Sequence, residues 1–152
     1  MHKSIALGLL TLAVTATPAQ AVNVTLSASL TSSCTLTLTS AGTMTAASSG
    51  TQLSSETSGG SAATMNMVAV GTAPTVSFAA PDLSASPAGW SGSPTLEIRY
   101  TSTGGASQAY TSSASSHAET GLLDAFTVNG RVTNSSGFAA GTYTLRTVAT
   151  CS

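Results

Sequence analysis

Apolar and polar residues alternate with a period of two along much of this chain, which is the signature of strands buried on one face. Val22, Val24, Leu26, Ala28 and Leu30 alternate with Asn23, Thr25, Ser27 and Ser29, and the same phase resumes at Cys34, Leu36 and Leu38. This is either one long strand or two strands interrupted near 31–33. Residues 43–47 give a weaker strand signal, and 48–61 read as a polar loop with Gly50, Gly59 and Gly60. A strand is predicted over 63–70, with Met65, Met67 and Ala69 on one face, and another over 75–79 through Val76 and Phe78. Residues 81–93 read as a loop carrying Trp90, followed by a strand over 95–101 through Leu96, Ile98 and Tyr100. Gly104-Gly105 marks a turn, 108–111 a short strand, and 112–124 an irregular stretch in which 118–123 could form one helical turn.

Phe126, Val128 and Val132 mark the next strand. Asn129-Gly130 within it suits a type I′ hairpin and also a continuous strand with a glycine bulge. The turn residues at 134–141 favour the continuous strand. The last strand is predicted over 142–151, with Tyr143, Leu145, Thr147, Ala149 and Cys151 on one face. About seven to nine short strands separated by Gly, Ser and Pro turns predict an all-β, antiparallel sandwich of immunoglobulin-like size.

The first 21 residues have a different pattern. His2 and Lys3 precede an apolar run from Ile5 to Val14, and Ala19-Gln20-Ala21 offers the small-x-small site of a signal peptidase. The run is about half of the roughly 20 residues that a spanning helix needs. A signal peptide over 1–21 is therefore expected, leaving one domain over 22–152, which is 152 minus 21, or 131 residues. Export predicts a secreted or cell-surface protein, passing through the periplasm in a bacterial host, with no membrane insertion.

After that segment the chain has no lysine. Arg99, Arg131 and Arg146 face Glu56, Asp82, Glu97, Glu119 and Asp124, so three minus five gives a formal charge of −2. Nucleic-acid binding needs a basic footprint, which is missing. Cys34 and Cys151 are the only cysteines. In an exported chain they are expected to form a disulfide.

Candidate chemistry is sparse. His117 is the only histidine after the leader and is read as an exposed loop residue. No Gly-x-Ser-x-Gly elbow is present, and one histidine with two distant cysteines makes no zinc site. No enzyme, metal or cofactor is expected. Trp90 is either a sugar-stacking ring or a cover on the edge of the core. Asn23-Val-Thr and Asn134-Ser-Ser match the glycosylation sequon, which matters only in a eukaryotic host.

The ending from Phe126 to Leu145, with Ala140-Gly141-Thr142-Tyr143-Thr144 before a final alternating strand, resembles the last hairpin of bacterial chaperone–usher pilins and spore coat protein U domains. The early Cys34 is similar too. The resemblance covers roughly the last quarter of the chain plus the N-terminal strand. It implies an incomplete sandwich completed by the N-terminal extension of the next subunit, through β-augmentation. The donor residues would then be Val22, Val24, Leu26, Ala28 and Leu30, within an extension over 22–33. Partners would be copies of the chain or related subunits, with a periplasmic chaperone.

Two features depart from a pilin: the ending Thr150-Cys151-Ser152 has no penultimate aromatic, and the only cysteine pair joins the far ends of the domain. Strands flanking an open groove lie about 9.6 Å apart, twice the neighbour spacing, while a disulfide tolerates at most about 6.8 Å between Cα atoms. The bridge must therefore sit at the end of such a groove, or the sandwich is already complete. The leading expectation is a structural subunit of a fibre or coat. The alternative is a self-contained binding module, lectin-like or adhesin-like.

Overall fold

The computed structural model describes residues 25–152; the expected leader and the candidate donor residues Val22 and Val24 lie outside the described residues. The described chain is all-β and antiparallel. Its strands are β1 (Ser33–Ser40), β2 (Thr45–Ala46), β3 (Gln52–Ser54), β4 (Ala63–Val70), β5 (Thr75–Phe78), β6 (Asp82–Ala85), β7 (Thr95–Ser102), β8 (Ser107–Thr111), β9 (Ser115–Ala118), β10 (Leu123–Thr133), β11 (Thr144–Arg146) and β12 (Ala149–Cys151).

The long strands β1, β4, β7 and β10 lie where alternation is read, whereas the alternating residues 25–30 join no ladder. In β4, Met65, Met67 and Ala69 are buried while Asn66, Val68 and Val70 face outward. The extra strands are short and fall where no alternation could be read. β3 sits in the expected 48–61 loop, held by its pairing to β10 and β2. β6 sits in the expected 81–93 loop and pairs with β11. β9 replaces the irregular stretch and pairs with β5, so the helical turn expected over 118–123 does not form. The expected final strand splits into β11 and β12, because Arg146 pairs with Asp82 on β6 whereas Ala149 pairs with Phe78 on β5.

β10 is the central strand. One edge pairs with β7 from Phe126 to Thr133; the other pairs first with β4 and then with β3. It runs straight through Asn129-Gly130 with no bulge and no hairpin. Gly130 makes no turn; a Cβ there would meet Leu145 Cδ2 at 2.8 Å and push that side chain aside. β1, β4, β10, β3, β2, β7 and β8 form one sheet, and β12-β5-β9 form a second. The sheets face one another across Phe78, Tyr100, Phe126, Met65, Met67, Val76 and Ile98. Phe78 of the smaller sheet stacks on Tyr100 of the larger, with ring centroids 4.2 Å apart. Each fully buried side chain of this kind contributes about 1.5–3 kcal/mol.

Candidate functional site

The sandwich closes tightly around its aromatic centre and stays open along one side. β1 pairs only with β4, and β12 only with β5, so each presents one free edge among the described residues. These edges belong to different sheets, and a groove of about 740 Å³ runs between them. Leu36 and Leu38 line it from β1, Leu145 from β11, Ala149 from β12 and Tyr143 from just before β11; Gly130 also lines it.

Burial shows that the groove is unfilled. The alternation in β1 places Leu38 on the inner face with Cys34 and Leu36, yet Leu38 is 65% exposed. Leu145, Ala149 and Cys151 likewise pack against the core while staying only half-buried. A closed sandwich would cover both rows. The sequence marks these residues as inward-facing strand positions but not as the lining of a groove.

Cys34 and Cys151 are joined, with Cα atoms 5.9 Å apart. They tie the start of β1 to the end of β12, and neither lines the groove. The disulfide therefore closes one end and leaves the rest open. The N-terminal segment leaves the body at that same end. Residues 25–32 join no strand ladder, and Leu26 and Leu30 are 93% and 72% exposed, with Ala28 exposed between them. Of the candidate donor residues, these three are described and none is packed on the groove of its own chain.

Trp90 is half-buried in a cluster of loop aromatics. Its ring stacks on Phe138 at 5.9 Å and meets Tyr143 edge-on at 5.1 Å. The cluster fastens the 86–94 loop to the 134–143 turn beside the groove. Asn134 is buried and donates its amide to the Gly137 carbonyl at 2.6 Å.

The charges are paired or hidden. Arg99 pairs with Glu56, Arg131 with Glu97 and Arg146 with Asp82. The guanidinium of Arg131 lies 4.0 Å above the ring of Tyr110, whose hydroxyl donates to Glu56 at 2.7 Å. Burial and that glutamate raise the Tyr110 phenol. The hydrogen bonds from Arg146 hold the exposed Asp82 carboxyl below its ordinary value. Glu119 and Asp124 have no arginine and are buried. His117 lies on β9 opposite Val76, half-buried, rather than in an exposed loop. Among the described residues no group of three or more His, Cys, Asp or Glu side chains could hold a metal.

Comparison of the chain with protein-family models, with curated proteins and with solved structures returns no match.

Proposed function

We propose that this chain is a secreted structural subunit of a cell-surface fibre or coat, which links to its neighbour by donating its N-terminal segment. The observation that carries this reading is the open side of the sandwich. Two free strand edges flank an unfilled apolar groove, and the same chain carries an exposed alternating segment with nothing packed on it. Strand addition satisfies both needs: ladder bonds pair the edges, and alternate side chains fill the groove. From Leu36 to Ala41 the groove spans roughly 17 Å at about 3.3 Å per residue, room for about three side chains on one face of a donor. Val24, Leu26, Ala28 and Leu30 supply that pattern.

The donor comes from a second copy or a related subunit. To enter its own groove, the segment would have to reverse direction within 31–33, immediately beside the Cys34–Cys151 bridge. A disulfide also suits an oxidising compartment such as the periplasm, where a chaperone would cover the groove before assembly. The lectin-like alternative loses its best residue, because Trp90 is engaged by Phe138 and Tyr143.

The test compares the secreted protein on a denaturing gel, unheated and boiled, without reductant. A ladder that collapses only on boiling is expected, and Leu26→Arg should give a folded monomer with no ladder. A single monomer band in both lanes from folded wild type, or a Leu26→Arg chain that fails to fold, would overturn the reading.

A further inference from the structure

Glu119 follows β9 in the smaller sheet, and Asp124 lies in β10 of the larger one. Both carboxyl groups are buried, at 7% and 6% exposure. Asp124 is built to be an anion. Its Oδ1 accepts from the Thr103 hydroxyl and the Gly104 amide at 2.7 Å each, and from the Ala125 amide at 2.7 Å. Gly104 permits this approach, since a Cβ there would lie 2.7 Å from Asp124 Oδ2. The second oxygen, Oδ2, has no partner, and neither has Glu119 Oε1. Yet the Glu119 carboxyl lies within hydrogen-bonding reach of Asp124. Glu119 Oε1 is thus a buried acceptor with no donor, in a carboxyl group beside a second buried carboxylate, and such a pair calls for one proton between them.

We propose that Glu119 and Asp124 share one proton and form an acid-fastened clamp between the two sheets. With Glu119 protonated, its hydroxyl donates to Asp124 and both orphaned oxygens are satisfied. The smaller sheet has the order β12-β5-β9. The disulfide ties its β12 edge to the larger sheet, and the clamp ties its β9 edge. Loss of the proton would put two carboxylates side by side in a site with no arginine or lysine.

The surroundings leave the pair to itself. His117 on β9 is the one other titratable group that acts on Glu119. Pro74 and Thr75 beside β9, Met67 opposite Asp124, and Thr103 and Gly104 between β7 and β8 bring no charge. Burial and then Asp124 push the Glu119 carboxyl upward. Burial also works against Asp124 as an anion, but the Ser102 hydroxyl close by and the hydrogen bonds from Thr103, Gly104 and Ala125 outweigh it and hold Asp124 at about 2.

The two shifts define a window. A carboxyl raised by folding stabilises the fold below its ordinary value, about 4.3 for Glu, and loses that effect as pH rises through the folded value. A depressed carboxyl stabilises above its ordinary value, about 3.9 for Asp, and loses the effect as pH falls through the folded value. The clamp is therefore strongest in mildly acidic solution and weakens toward alkaline pH.

Thermal unfolding of the whole secreted chain between about pH 4 and about pH 8 tests this. The wild-type midpoint should fall as pH rises. Glu119→Gln keeps a donor to Asp124 and should flatten that slope, with a higher midpoint than wild type at the alkaline end. His117→Gln should keep the slope. A flat wild-type profile, an unchanged slope in Glu119→Gln, or a slope lost in His117→Gln would overturn the clamp. So would millimolar calcium that raises the alkaline midpoint of wild type alone, since the pair would then hold a cation. If Glu119→Gln does not fold, carboxyl-carbon NMR of wild type decides: a Glu119 inflection above the ordinary glutamate range is expected, and an ordinary one overturns the proposal.

Discussion

Gly130 shows how one residue can be legible in the sequence for the wrong reason. Asn-Gly between two apolar triplets is a strong turn signal, yet here β10 passes straight through it. The glycine is kept clear by Leu145, whose Cδ2 occupies the space of a side chain. Gly130→Val should therefore cost about 1–3 kcal/mol through overpacking. Adding Leu145→Ala should recover part of that loss in a double-mutant cycle read by chemical denaturation. Equal losses with and without Leu145 would show that the clash is not the cause. Glu119 and Asp124 were missed for a related reason. A carboxylate in a Ser/Ala-rich stretch looks solvent-exposed, and only pairing off the three arginines shows that two acids are left without a cation.

At the level of elements, alternation located the strands that bury a face on both sides of the core. β4, β5 and β7 fall within a residue of the stretches read from the sequence, whereas β10 starts at Leu123, three residues before the expected Phe126. β3, β6 and β9 escaped because their ladders come from long-range partners rather than from local pattern. Nor could alternation tell a strand that is covered from one that awaits cover, since both carry the same apolar row. Substitution separates them. Leu38→Asp should change the stability of the isolated subunit by no more than about 0.5 kcal/mol, because the side chain already faces solvent, while removing the gel ladder. Met67→Ala, in the closed part of the core, should cost about 2–5 kcal/mol. Urea denaturation of both variants checks the contrast, and a large loss in Leu38→Asp would mean that the groove is filled in the monomer.

Across the whole molecule the two sheets are held by unlike fastenings, a covalent one beside the groove and a polar one at the far edge. Cys34 and Cys151 enclose a separation of 117 residues. Loop-closure entropy assigns such a bridge up to about 4.7 kcal/mol. The paired Cys34→Ala, Cys151→Ala chain should unfold about 2–5 kcal/mol more easily than the oxidised wild type in denaturant; equal midpoints would mean that the bridge does not constrain the unfolded chain. The pairing itself was legible from the cysteine count, and spacing alone placed it at the end of any open groove. Its position also governs how the molecule bears tension. The chain enters the sandwich just before Cys34 and leaves β12 at Cys151, so both points lie at the bridge. A pull between them passes through the sulfur–sulfur link and bypasses every strand of the sandwich. The 117-residue separation that the link spans, roughly 400 Å of contour at about 3.5 Å per residue, is withheld from stretching until the link is reduced. The stretch from Cys34 to Cys151 is thus nearly inextensible while the link is intact, however loosely its sheets are packed.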